Sequence, residues 1–357
     1  MKKLNQATER CRWLGLSALL LAAGCEEGRQ RRVVLYVSAD THIAREVIKR
    51  FQEQTSIRVD FVGDTEQVKT TGLAQRLRAE KDNPQADVFW SSEVFQTILL
   101  AQDGVLAPHG SQATTDRPAF SHDPKHRWYG FAARARVIVY APDRVAASDL
   151  PRTWMDLTKP LFKGRIVIAD PRFGTTGGHL AAMKAYWSRA VTPAFYEAFL
   201  MGLADNEVRM LPGGNAGVVA AVVSGEADLG MTDTDDVWAA RARGLDVGLI
   251  YPRHGLEGVT GAGTLLIPNT VARVRGGPNP LAAALLIDFL LSEPVERLLA
   301  ESVSHNIPLA GAVADDYPQY AVPDPLAVDL QRAADLMGEA VREAMHLLSR
   351  NDGRHAG

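Results

Sequence analysis

The sequence predicts an α/β protein whose open, largely parallel sheet leaves a ligand cleft at the ends of its strands. Three observations predict it. Residues 33–99 run strand, helix, strand, helix, strand, helix, the order of a parallel sheet joined by right-handed crossovers. Each of those strands ends in a polar turn carrying hydroxyls and an acid: Ser38-Ala39-Asp40-Thr41-His42, Gly63-Asp64-Thr65-Glu66 and Ser91-Ser92-Glu93. Further along, an apolar run over 227–231 meets Thr232, Asp233, Thr234, Asp235 and Asp236 and then opens a helix. Open α/β sheets bind ligands at the carboxyl ends of their strands. With 357 residues, 46% hydrophobic and 23% charged, the chain is long enough for two such units.

The first residues read as an address. Lys2, Lys3, Arg10 and Arg12 precede an apolar stretch over 13–23, too short to anchor stably across a bilayer. It ends in Gly24-Cys25, which resembles a bacterial lipoprotein signal with Cys25 lipidated; Ala22 stands where that pattern usually has Leu. The alternative is an ordinary secretory signal. Residues 1–24 are therefore assigned as signal and 25–32 as a polar tether. Cys11 and Cys25 are the only cysteines, so loss of the signal leaves no pair for a disulfide, and the fold must rest on its core. The signal carries net +3 (four bases against Glu9), which leaves −6 of the −3 total on the remainder. That balance argues against nucleic acid or an anionic membrane surface as a partner.

The elements follow in order. Residues 33–38 (VVLYVS) are β-rich. Ile43, Val47, Ile48 and Phe51 share one helical face behind a cap at Asp40 or Thr41. Strand 57–62, a helix over 68–81, strand 86–90 and a helix with Val94, Ile98 and Leu99 inward complete the first unit. Residues 128–140 (WYGFAARARVIVY) form one long extended run. Arg134 and Arg136, two apart, share a face there and require partners, ordinary surface acids if nothing more. After strand 164–170, residues 171–178 read as a glycine- and hydroxyl-rich loop (Thr175, Thr176, Gly177) before a helix over 179–189. Such a loop points N–H groups and hydroxyls at an anion, although no Walker pattern follows. A helix over 193–203, strand 208–211, a turn ending at Asn215 and a helix over 216–224 lead to the acidic cluster. Residues 249–251 and 261–269 are extended, the latter a candidate for the chain crossing back. Helices over 280–291 and 294–302 begin with Pro, as helices tolerate. An amphipathic helix over 327–349 closes the fold. His42 and His179 read as polar surface residues.

Thr and Asp cap helices and complement the helix dipole, and that suffices for one or two residues of the acidic cluster. Three carboxylates within four residues repel unless they are solvated or joined by a cation, so at least one is expected to face a ligand.

Together, the lipobox-like signal, VVLYVSAD, FQEQTSIRVDFV, ADVFW and WYGFAARARVIVY resemble the iron(III)-type periplasmic substrate-binding proteins of ABC importers. The resemblance runs from residue 33 to the helix after Pro294. It implies a two-lobed periplasmic-binding-protein fold with two crossing strands and an interlobe cleft. Residues 33–133 plus 265–312 would form one lobe and 134–264 the other, with 313–357 a C-terminal helical segment. It also implies a monomeric, exported, lipid-anchored subunit that delivers its ligand to a membrane permease and its ATPase. His42 and Glu93 imitate two family metal ligands, each slightly displaced. The family's adjacent tyrosine pair is absent, its positions falling near Thr234 and Asp235. The resemblance assigns Arg134 or Arg136 and the 175–177 stretch to a small anion beside the metal.

The expected ligand is ferric iron or another hard cation with a synergistic anion, since carboxylate oxygens suit hard cations. His42, Glu93, Asp233 and Asp235 are the candidate metal ligands. Asp40, Thr65, Glu66, Ser91, Ser92, Arg134, Arg136, Thr175, Thr176, Gly177, Asn215, Thr232 and Thr234 are the further contacts. The alternative is an aminophosphonate or other small organic anion, with the acids taking an amine and the arginines the oxyanion. A carboxylate-based hydrolase is the third reading; no Ser-His-Asp or His-Glu-x-x-His pattern supports an enzyme.

Overall fold

The computed structural model describes residues 31–63, 70–111 and 116–349. Cys25, the signal, most of the tether, Asp64, Thr65 and Glu66 lie outside the described residues.

Strands β1 (Arg32–Val37), β2 (Arg58–Gly63) and β3 (Val88–Ser91) form a parallel set, β2 and β3 flanking β1. Between β1 and β2 runs helix α1 (Thr41–Thr55), which buries Ile43, Ala44, Val47, Ile48 and Phe51, a one-sided apolar stripe. Ser56, in the left-handed region, ends it by donating its N–H to the Gln52 carbonyl. Helices α2 (Thr71–Ala79) and α3 (Phe95–Gln102) and the two-residue strand β4 (Leu106–Ala107) complete this half.

The long run then appears as one strand, β5 (Tyr129–Tyr140). It is shared between two sheets. Up to Ala135 it pairs antiparallel with β10 (Leu266–Val274); from Arg136 onward it pairs antiparallel with β8 (Leu229–Asp233). Beyond β8 lie β6 (Ile166–Ala169) and β7 (Arg209–Leu211), parallel to it, while β9 (Gly248–Ile250) also pairs β5. The full order is β2-β1-β3-β10-β5-β8-β6-β7, a two-lobed α/β fold in which β5 and β10 cross between the lobes.

The crossing is irregular and pinned. Ala132 takes φ +53, and the register slips between Pro268 and Thr270. The fully buried Glu296, on α9 (Glu293–Glu301), accepts the Ala132 N–H at 2.9 Å and the Ala310 N–H at 2.8 Å, and pairs with buried Arg117 at 3.2 Å.

Residues 174–178 are not a loop. They are the opening turns of α4 (Gly174–Ala190). The reason is packing. A Cβ on Gly178 would overlap the Phe95 ring of α3, and one on Gly177 would strike the Pro171 carbonyl and Val341. Small residues there let α4 lie against α3 and against the last helix, α11 (Leu330–Leu348), and that contact outweighs glycine's poor helix propensity. His179 on α4 is fully buried, contrary to its expected place on the surface. Residues 261–265 also differ: strand β10 starts only at Leu266, because Asp324 accepts the Gly261 and Ala262 N–H groups and holds that stretch as a loop.

Helices α5 (Ala194–Asp205), α6 (Gly214–Ser224), α7 (Thr234–Ala242), α8 (Pro280–Leu290) and the short α10 (Gly311–Ala314) cover the sheets. Helix α11 (Leu330–Leu348), capped by Asp329, braces both lobes. Gln102 of α3 donates to Asp335, Lys184 of α4 pairs with Glu339 and Glu343, and Tyr196 of α5 donates to the Ala340 carbonyl. Among the described residues no helix is long and apolar enough to cross a membrane.

Gly178→Ala is expected to lower stability by about 1–3 kcal/mol through overpacking against Phe95, read by guanidinium unfolding. Adding Phe95→Leu should recover part of that loss; a strictly additive double variant would contradict the contact.

Candidate functional site

The two-residue spacing puts Arg134 and Arg136 on one face of β5, and the antiparallel register sets Arg136 opposite Asp233 at the end of β8. Their partners are not surface acids. Arg136 Nη1 lies 2.8 Å from Asp233 Oδ1, with both side chains fully buried. The same nitrogen donates to Thr175 Oγ1 at 3.1 Å and Asn215 Oδ1 at 3.2 Å. Asp233 Oδ2 accepts from Thr175 Oγ1 at 2.6 Å and from Asn215 Nδ2 at 2.7 Å. An ion pair taken out of water is tolerable only when its remaining polar atoms are satisfied, and Thr175 and Asn215 do that for Asp233.

Arg134 pairs with Asp235 Oδ2 at 2.8 Å, and its Nη2 donates to Asn269 on β10 at 2.8 Å. Asn269 in turn donates to Asn306 at 2.7 Å. Burial disfavours the Arg134 charge, but Asp235, Asp233, Asp40 and Asp236 together hold its pKa above the ordinary arginine value. Thr234 Oγ1 accepts the Ala135 N–H, and Thr232 Oγ1 donates to the Asn215 carbonyl. Arg136 Nη2, Arg134 Nε and Thr176 Oγ1 are buried without a hydrogen-bond partner.

On the other lobe, three buried hydroxyls converge. Thr70 donates to Ser38 at 2.9 Å and lies 3.2 Å from Ser92, whose own N–H donates to Ser38 Oγ at 2.9 Å. Ser91 and Glu93 turn inward to the start of α3. Ser91 Oγ donates to the Glu93 carbonyl, and the Glu93 carboxylate accepts the Phe95 N–H at 2.6 Å and the Gln96 N–H at 3.0 Å. Burial pushes the Glu93 pKa up to about 7 against those N–H groups and Arg134. Asp40 and the exposed His42 line a groove of about 680 Å³ between the lobes, with Arg45, Asp236, Arg243 and Val303.

The structure thus gathers Arg134, Arg136, Thr175, Asn215, Thr232, Asp233, Thr234 and Asp235 at the crossing, and Asp40, His42 and Asp236 at the groove. Gly177 is packed among helices. Two expected metal ligands have other occupations: Asp233 spends both oxygens on Arg136, Thr175 and Asn215, and Glu93 spends both on α3. Ligand atoms of Asp233, Asp235 and Asp236 do lie within 4.8 Å of one another, but Arg134 and Arg136 stand on two of the three. Sequence reasoning missed Ser38, Thr70, Asn269, Asn306 and a histidine pair. His179 Nδ1 accepts from Arg136 Nε at 3.3 Å, His179 Nε2 lies 3.1 Å from His254 Nε2, and His254 Nδ1 donates to the Gly263 carbonyl at 2.6 Å. The signal that could have found His179 is its spacing: it stands four residues after Thr175, on the same helical face.

Asp233→Ala leaves Arg136 a buried, uncompensated charge and is expected to destabilise by about 3–5 kcal/mol in denaturant unfolding. Two groups make stability depend on pH with opposite signs. Glu93, raised from 4.5 to about 7, contributes stability that is full below 4.5 and lost as pH rises through 7. His254, lowered by burial from 6.5 to about 4, contributes stability that is full above 6.5 and lost as pH falls toward 4. Glu93→Gln should therefore weaken the loss of unfolding free energy between about pH 5 and about pH 8; an unchanged slope would show that Glu93 keeps an ordinary carboxyl pKa.

The chain matches the family described as bacterial extracellular solute-binding protein over residues 33–302. Iron uptake protein A1 of Synechocystis is 28% identical over 301 residues, 80% of this chain and 80% of the relative. Two solved structures share the fold at TM-score 0.74. Iron-bound HitA of Pseudomonas aeruginosa is 23% identical, covering 88% of this chain and 99% of that one. AfuA of Actinobacillus pleuropneumoniae, with fructose-6-phosphate bound, is 19% identical, covering 90% and 99%. Proteins of this family bind small ligands for ABC permeases and their ATPases, and are not enzymes. With the match spanning most of the chain and the two-lobed fold in place, the protein belongs to the bacterial extracellular solute-binding proteins.

Proposed function

We propose that this protein captures a small solute bearing an oxyanion between its lobes and delivers it to a membrane permease. The observation that carries the reading is the pair of guanidiniums at the crossing, Arg136 fully buried and Arg134 partly so, whose buried Nη2 and Nε respectively lack acceptors. Buried donors without acceptors are costly, and an oxyanion in the cleft supplies what they lack. A phosphate, phosphonate or carboxylate suits planar guanidinium donors, and the Ser38, Thr70 and Ser92 hydroxyls line the facing lobe. Asp40 and Asp236 would meet a cationic or hydroxyl-bearing part of the same ligand. The fructose-6-phosphate bound to AfuA agrees with this ligand class.

A second reading is ferric iron with a synergistic anion. The acidic cluster and the relative named as an iron uptake protein favour it. Its difficulty is that Asp233 is already consumed and that the tyrosine pair is absent, its positions falling near Thr234 and Asp235. Metal would then fall to Asp235, Asp236, Asp40 and His42, with the anion on the arginines.

The rest of the reading is a monomeric lipoprotein, anchored through Cys25 and facing the periplasm. Its lobes are residues 33–133 plus 265–312 and 134–264, with 313–357 as a C-terminal helical segment.

A thermal-shift and calorimetric screen of the metal-stripped protein tests the choice. Sugar phosphates or phosphonates at a hundredfold their dissociation constant are expected to add about 2.7 kcal/mol of stability. Arg134→Ala should weaken that binding at least tenfold, about 1.4 kcal/mol. Stabilisation by Fe³⁺ with citrate, and by no organic anion alone, would overturn the first reading in favour of the second.

A further inference from the structure

The cation at the centre of the site has an unusual neighbour. Arg136 donates its Nε–H to a histidine, not to a carboxylate. The chain of partners allows one proton arrangement. The Gly263 carbonyl can only accept, so His254 carries its proton on Nδ1 and leaves Nε2 bare. Arg136 can only donate, so His179 Nδ1 is bare and its proton sits on Nε2. The contact between the two Nε2 atoms is then a hydrogen bond from His179 to His254. Tautomers are assigned from partners in this way, and here every partner agrees.

Both rings are fully buried, and both are held neutral: burial first, then Arg136 and His254, keep His179 well below its ordinary pKa. The titratable groups facing the pair are Arg136 from β5 and Tyr186 from α4, the latter 6.3 Å from the His254 ring. Trp154 packs edge-on against His179 with ring centroids 4.5 Å apart, and the His254 ring is held at both nitrogens, by His179 and by the Gly263 carbonyl. The relay ends on Gly263, in the segment that leads into the crossing strand β10.

We propose that His179 and His254 are positioning residues for ligand binding. His179 accepts the Nε–H of Arg136 and His254 holds His179, so together they fix the guanidinium plane and present Nη2 to the ligand while tying it to the crossing segment. Asp233 already pairs with the guanidinium; a second carboxylate in place of His179 would add negative charge beside an anionic ligand, whereas a neutral imidazole directs the guanidinium and adds none. The proposal rests on the reading that Arg136 receives an oxyanion.

The test separates positioning from packing. His179→Asn keeps an acceptor where Nδ1 lies; His179→Leu fills the space without one. With inorganic phosphate and fructose 6-phosphate as probes, His179→Leu is expected to weaken binding at least tenfold, as for loss of a hydrogen bond to a charged group. His179→Asn should stay within about threefold of wild type. Equal losses in the two variants, or none in either, would overturn the proposal, because packing alone does not distinguish them as an acceptor does. A second arm needs no ligand. In nitrogen-15 spectra the Arg136 Nε–H should exchange slowly in wild type and His179→Asn and fast in His179→Leu. Equal exchange in all three overturns the positioning role. Slow exchange with the expected ranking, but no binding of either probe to wild type, would keep that role and reject the oxyanion reading.

Discussion

Arg136 carries a positive charge on a fully buried side chain, and the geometry of the crossing follows from that. A guanidinium buried this deeply needs a carboxylate, and the β5–β8 register supplies Asp233 at 2.8 Å. Asp233 then needs donors of its own, and takes Thr175 from the start of α4 and Asn215 from α6. The remaining edge of the guanidinium is met by His179, four residues further along α4. One buried ion thus fixes how two helices and two strands approach the cleft. Such an arrangement is weak evidence for stability in itself. Its worth lies in orientation, because it holds donors in a dry place before any ligand arrives.

The second constraint is mechanical. Strand β5 belongs to both sheets, and the change of partner falls between Ala135 and Arg136. The residues proposed to receive the ligand therefore sit where the lobes join, where relative motion of the lobes would be felt first. The bend at Ala132 is held by Glu296, and behind the site α11 and the Phe95–Gly178 contact tie the two halves together. The cleft opens on one side and is closed on the other by apolar packing.

Much of this was legible in the chain. The parallel strands, the polar turns after β1 and β3, the long extended run and the amphipathic last helix all appear close to where periodicity places them, because period and capping are local properties. The shared face of Arg134 and Arg136 was also legible, since it depends only on strand geometry. Legibility failed where a residue's surroundings decide its role. Glycines in 174–178 read as a loop, but two of them are spacers between helices. Glu93 read as a ligand, but it caps α3. His179 read as a surface residue, but it is a buried acceptor whose donor, Arg136, stands 43 positions away.

The sequence by itself determined the α/β class, the two-unit length, the strand edge that carries the polar groups, and the demand that two arginines on one strand find partners. The tertiary structure alone decided which partners those are. Three acids within four residues are equally suited to a cation, to solvent or to arginines, and composition cannot choose among them. The choice was made by register: pairing β5 with β8 sets Arg136 against Asp233 and leaves Arg134 to Asp235. Coulomb attraction between buried charges dominates only at contact distance and out of water, and contact distance is a property of the fold.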